Sequence, residues 1–304
     1  MLQASAYSPS HITGFFEILD NSLQESTSGS LGAGVSLLKG VRTEVSLWKS
    51  TRPNVSIRIN DKPTHQARVS AYVAHKYQGM VGEKYSVHVE HKFDVPIGTG
   101  FGTSGAGALS LSLALNAALK LELSNLEASQ IAHEAEIASK TGLGTVIAES
   151  FGGLEVRLKA GSPGIGRIVE IPTNRGEEVY AVSFGPISTT HVLSTPWMRE
   201  RINGHAHEFL WNLVDNPSAS NLVQLSRKFS DGVGLATPRV KSLLSIFDSL
   251  SLPASMLMMG EGVFTILTRD DAKRVAASLM ERLPGSAFIV SSSIAPSGAR
   301  VLDS

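Results

Sequence analysis

Pro96-Ile97-Gly98-Thr99-Gly100-Phe101-Gly102-Thr103-Ser104-Gly105-Ala106-Gly107-Ala108 is the stretch on which the reading of this chain turns. Glycines and hydroxyl residues alternate there, just ahead of a long apolar run. Glycine lets the backbone approach a ligand and turn its N–H groups inward. A following helix adds its first N–H groups and the positive end of its dipole. Such a construction suits a polyphosphate, so a nucleotide-dependent enzyme is the first expectation.

The type of loop follows from its surroundings. A Walker A loop ends in Gly-Lys-Ser/Thr, which this stretch lacks. Gly100-x-Gly102-x-x-Gly105 matches the dinucleotide fingerprint, whose helix should lead into a second parallel strand. Here the helix expected from about Gly105 to Lys120 meets Ser124-Asn125-Leu126-Glu127, a capping box that opens another helix. Helix after helix breaks the βαβ unit. A turn that binds nothing rarely needs so many glycines beside hydroxyls. A kinase loop outside the Walker class remains.

The pattern Pro-x-x-x-Gly-Phe-Gly-x-Ser-Gly-Ala resembles the phosphate loop of the GHMP kinases, and the chain is most similar to the archaeal pantoate kinases within them. The likeness is carried by Ser8 to Phe16, Gly29 to Gly34, Pro96 to Leu109, Ala132 to Glu136, Thr141 to Gly144 and Gly152-Gly153, in family order over most of the chain. It implies an α+β GHMP kinase fold: a ribosomal-S5-like N-terminal domain, residues 1–175, and a ferredoxin-like C-terminal domain, residues 176–304, with the site between them. The boundary is placed at the polar, turn-rich Pro172 to Glu177.

The resemblance also implies ATP-dependent phosphorylation of pantoate on the way to coenzyme A. ATP would lie along Pro96, Gly98, Gly100, Gly102, Thr103, Ser104, Gly105, Ala106 and Gly107. Mg²⁺ would be held by the Ser104 hydroxyl and the Glu136 carboxylate, a sufficient protein share for a cation that keeps some waters. His133, Glu136 and Lys140 lie on one helical face, while Glu134 is read as surface. The substrate-binding residues implied are His11, Thr13, His133, Arg157 and Thr189, the last with its register against Ser188 and Thr190 open. Arg157 would grip the substrate carboxylate in a fork, or pair as an exposed strand arginine with Glu155 or Glu170. Phe15 and Phe16 are core candidates, and Ser28 to Gly34 reads as a glycine-serine loop. Near the C-terminus Met259 to Phe264 stands as a reduced third motif, with Glu261 turned to solvent.

Two positions depart from the family. Its members carry Thr-Gly-Leu-Gly-Asp, the aspartate assisting deprotonation of the acceptor hydroxyl, whereas this chain ends the motif at Thr145. Leu31 stands where arginine is common. Three explanations are open at Thr145: transfer by positioning without a dedicated base, another carboxylate such as Asp20 in its place, or a protein that binds without transferring. A kinase for another small hydroxy acid or sugar is the alternative enzyme.

Composition agrees with an enzyme of small molecules. The 304 residues suffice for two ordinary domains, and 27 Lys+Arg balance 27 Asp+Glu. No basic surplus points to nucleic acid or a membrane surface. The longest apolar segment, Ala106 to Leu123, is broken by polar residues and reads as a buried helix rather than a membrane span. Met1 to Ser5 lacks the marks of a signal peptide, and the absence of cysteine excludes disulfides and fits a cytoplasmic protein. A homodimer is the assembly entertained.

Along the chain, short strands are expected within 31–60 and 66–73, with a turn at Asn60-Asp61 and a strand from Tyr85 to His91. Helices follow at 105–120 and 125–140, the second closed by Gly142, then a strand from Gly153 to Lys159. Beyond the boundary come a strand from Val179 to Phe184, helices at 196–213, 218–229 and 238–249, and paired strands at Met256–Met259 and Val263–Leu267. A helix capped by Asp270 runs through Leu283, and Ala287 to Ser291 closes as a strand.

Overall fold

The computed structural model describes residues 1–19, 25–187, 195–280, 283 and 285–303. Two sheets organise them. The first begins with two long antiparallel strands, β1 (Leu2–Leu19) and β2 (Gly29–Lys49). It adds β3 (Val55–Ile59), β4 (Lys62–Thr64), β5 (Tyr85–Phe93), β6 (Leu154–Lys159) and β7 (Arg167–Ile171). The last strand, β12 (Arg300–Leu302), returns from the far end of the chain to pair with β1. The order is β12-β1-β2-β5-β3-β4, with β6 on the other half of β2 and β7 beyond it. Within this sheet β3 and β5 run parallel, as the crossover through α1 (Arg68–Met80) between them requires.

That helix corrects the strand expected at 66–73. Val69, Val73 and Tyr77 recur every four residues on its buried face, a period the shorter window cannot display. Gly29 to Gly34 is likewise strand rather than loop, the start of β2 and paired to β1. Asn60 and Asp61 form the turn joining β3 to β4, both with positive φ, as a tight hairpin demands.

Helices α2 (Thr103–Leu119) and α3 (Asn125–Ser139) agree with expectation. The capping box at Ser124 and Glu127 is formed in both directions. α2 is buried on nearly every side, because β1, β2, α1 and α3 surround it; an apolar sequence all round is what that position needs. Lys140, not Gly142, ends α3: its left-handed conformation returns its N–H to the helix carbonyls. A helix absent from the sequence reading follows at once, α4 (Thr145–Phe151).

The second sheet joins β8 (Glu177–Pro186), β9 (Ser255–Met256), β10 (Gly260–Thr268) and β11 (Phe288–Ser293) in the order β11-β8-β10-β9, antiparallel throughout. Numbered within this half, that is 4-1-3-2, the ferredoxin-like order the resemblance implies. Its helices are α5 (Pro196–Asp215), α6 (Ala219–Val233), α7 (Pro238–Ser249) and α8 (Arg269–Met280). α8 is capped by Thr268, whose hydroxyl accepts from Asp271 N–H, and not by Asp270. Phe15 and Phe16 reach from β1 to Phe229 of α6, and Phe15 also meets Phe209 of α5 edge-on, so one apolar core runs under both sheets. A second core lies between the first sheet and α1, α2 and α3.

Candidate active site

The phosphate-loop stretch forms the turn between β5 and α2, and it lies where the two halves meet. Gly98, Gly100 and Gly102 all take positive φ. Gly100 packs against the second half: a β-carbon on it would stand 2.9 Å from the Met258 carbonyl oxygen. Gly102 begins α2 in the left-handed conformation, and a β-carbon there would meet the Thr145 methyl at 2.6 Å and Glu149 Oε1 at 2.7 Å. Among the described residues no side chain caps the amino end of α2, and no acidic residue sits in its first turn, so its leading N–H groups keep their capacity for an anion. Gly102→Ala is therefore expected to raise the ATP KM about tenfold through backbone strain and displaced neighbours. An unchanged KM would remove this loop from the nucleotide site.

Beside the loop, Ser104 Oγ donates to Glu136 Oε1 at 2.6 Å, and Thr141 Oγ1 donates to the same oxygen at 2.6 Å. Burial raises the Glu136 carboxyl above its usual range, against the lowering effect of these two hydroxyls. Gly142 leaves room for the other oxygen: a β-carbon there would fall 2.0 Å from Oε2. That is the service Gly142 performs in place of ending a helix. A hydroxyl and one carboxylate at a helix amino end make a hard oxygen donor set, and they fit a Mg²⁺ that completes its shell with phosphate and water. Among the described residues no group of three or more His, Cys, Asp or Glu is placed to hold an ion by itself.

The cleft these residues enter spans about 770 Å³, the solvent at its open mouth included. Gly98, Gly100, Gly102, Thr103, Ser104 and Glu136 line it, as do His11 and Thr13 of β1 and Thr145 at the start of α4. Ser30, Thr141, Met258 and Met259 add to the wall, with Phe16 and Gly142 to Gly144; of these, Ser30 and Met258 carried no individual signal in the sequence. Gly105, Ala106 and Gly107 are buried behind the surface, Gly107 against Phe93, and the half-buried Pro96 does not line the cleft. His133 is buried, and its Nε2 donates to the Ser28 carbonyl oxygen at 3.0 Å.

Arg157 is buried, in contrast to the exposed strand arginine considered from sequence. It pairs with Glu155, which also accepts from His11 Nε2 at 3.2 Å. The guanidinium lies directly behind Gly144, whose β-carbon would stand 3.0 Å from Arg157 Nε. Thr189, with Ser188, Thr190 and Asp20, falls outside the described residues. Glu134 bonds Tyr72 and Lys76 on the outer side of α3, and Glu261 is held by Thr237 rather than left to solvent.

Comparison with known proteins places the chain in a family. Residues 67–153 match the family described as GHMP kinases N terminal domain. A pantoate kinase of Thermococcus kodakarensis is 34% identical over 282 residues, 91% of each chain. A pantoate kinase of Methanospirillum hungatei is 31% identical over 267 residues, 88% of each. A solved structure described as a phosphotransferase related to the CoA biosynthesis pathway superposes with a TM-score of 0.89 at 30% identity, covering 99% of this chain and 98% of that one. With relatives this similar along almost its whole length, and a solved structure of the same fold, the chain belongs to the pantoate kinase family of the GHMP kinases.

Proposed function

We propose that this protein transfers the γ-phosphoryl group of ATP to the 4-hydroxyl of pantoate, in a reducing cytoplasm and on the way to coenzyme A. The observation that carries the reading is the Ser104–Glu136 pair set at the bare amino end of α2, beside the glycine loop. Phosphoryl transfer asks the protein for positioning and charge neutralisation more than for covalent chemistry. The α2 amino end and the loop amides hold the phosphates. Ser104 and Glu136 would hold a magnesium ion, which would draw charge from the phosphate oxygens. His11 and Thr13 line the acceptor side of the cleft, with the Glu155–Arg157 pair behind it.

The test is ADP release by purified protein with ATP, Mg²⁺ and a panel of pantoate, homoserine, mevalonate, glycerate and sugars. Release with pantoate alone is expected. Release with another member keeps the kinase and changes the acceptor. A second reading, nucleotide binding without transfer, draws on Thr145, a hydroxyl in the cleft where the family pattern has a carboxylate. Intact ATP binding with silence across the panel, relieved by Thr145→Asp, would favour it.

A further inference from the structure

Glu149 is fully buried, and among the described residues neither of its carboxyl oxygens meets a hydrogen-bond donor. The other buried carboxylates near the cleft, Glu136 and Glu155, are both bonded. A buried carboxyl without a partner is costly, so its placement calls for a reason. It is pressed against the start of α2: Oε1 and Oε2 each lie 2.7 Å from the β-carbon position of Gly102 and Gly105 respectively. Thr145 stands one helical turn earlier on α4 and touches the same two glycines, its γ-methyl 2.6 Å from the Gly102 point and its β-carbon 3.2 Å from the Gly105 point. Its hydroxyl is turned to the cleft, 3.2 Å from the Gly142 point. A change of χ1 rotamer moves the hydroxyl off the Gly142 side, and one of the staggered positions is the methyl's, on the Glu149 side.

We propose that Thr145 and Glu149 form a proton relay from the acceptor hydroxyl, resting on the kinase reading above. The acceptor oxygen bonds to the γ-phosphorus as the bridge to ADP breaks, the electron pair leaving with ADP. The acceptor proton passes to Thr145 Oγ1, the Thr145 proton passes to the Glu149 carboxylate, and Glu149 ends neutral until it returns the proton to solvent. Around Glu149, α3 brings the Glu136 carboxylate, α2 brings glycine and the positive end of its dipole, and β1 brings the His11 carbonyl oxygen. Burial and the Glu136 charge hold the Glu149 carboxyl well above the usual carboxylate range, so the relay opens only at a pH high enough to ionise it, which sets the acid limb of the rate profile.

The experiment compares Glu149→Gln, Thr145→Val and Glu149→Gln with Thr145→Asp, measuring kcat against pH, both KM values, and ATP affinity by calorimetry. The first two variants should each lose about 10²-fold in kcat with little change in KM or ATP affinity. Thr145→Asp should restore the Glu149→Gln protein and move the acid limb of its profile to lower pH, because a cleft-facing aspartate ionises more readily than buried Glu149. Near-parent turnover in Glu149→Gln or Thr145→Val overturns the relay, as does a loss in Glu149→Gln that Thr145→Asp leaves unrestored. If Glu149→Gln does not fold, Thr145→Val decides. If the parent hydrolyses ATP but ignores pantoate, the acceptor assignment fails, and the same comparisons made on hydrolysis decide the relay.

Discussion

Glu136→Gln is expected to lower turnover about 10³-fold, some 4 kcal/mol of transition-state stabilisation, while the melting temperature holds or rises. The two effects separate because the carboxylate sits where function needs its charge and folding does not. Oε1 is fixed by the hydroxyls of Ser104 and Thr141, and glutamine can keep both bonds through its amide oxygen. What glutamine cannot keep is the negative charge that a magnesium ion on the phosphates would answer. Burial raises the Glu136 pKa above its unfolded value, so the native state binds the proton more tightly. The stability this supplies is present below the unfolded pKa and lost as pH rises through the folded one. At neutral pH the glutamine variant is relieved of that loss, and its melting should depend less on pH. Steady-state kinetics over a magnesium series, with calorimetric melting, checks both halves. Near-parent turnover would refute Glu136 as the metal ligand, and Ser104→Ala, which removes a neutral ligand, should show a smaller loss of about tenfold.

How much of this was legible follows from the range of the interactions involved. The glycine loop and the α2–α3 junction could be read because their signals are local: positive-φ glycines, and Ser124 with Glu127 three residues on. The ferredoxin-like second half followed from the resemblance alone. α1 was hidden by a window that stopped at residue 73, before Tyr77 completes the helical period. α4 was hidden by length, since seven residues carry too few turns for a period to show.

The Glu155–Arg157 pair and Glu149 mark the deeper limit. On β6 the alternation of Leu154, Val156 and Leu158 puts Glu155 and Arg157 on one face, which reads as solvent if the strand has one wet side. In the fold β2 pairs directly with β6, Gly32 opposite Arg157 and Gly34 opposite Glu155, and the two charges are enclosed against His11. Glu149 carried no signal in the sequence, lying in a short helix that the sequence did not disclose. Its burial is created by the phosphate loop settling on it, a contact made across 44 to 47 residues of sequence between Gly102, Gly105 and Glu149 that no local pattern encodes.

That enclosure makes Arg157→Ala a test of stability as much as of binding. The guanidinium is 1% exposed and pairs with a carboxylate that is 0% exposed. Removing one partner of a buried pair leaves the other charge uncompensated, a cost of about 3–5 kcal/mol, or a fall in melting temperature of about 10 °C for a chain of this size. The acceptor KM should rise as well if a carboxylate is drawn toward the guanidinium behind Gly144. The single variant cannot apportion the two, because a loosened β6 also shifts His11 through Glu155. Arg157→Met combined with Glu155→Leu can: replacing both partners by apolar residues of similar size removes the orphaned charge, and such exchanges are often neutral or stabilising. The expected result is a melting temperature back near the parent with the acceptor KM still raised. Recovery of both would confine Arg157 to holding β6 against β2, and the acceptor carboxylate would then have to be met from the His11 and Thr13 wall.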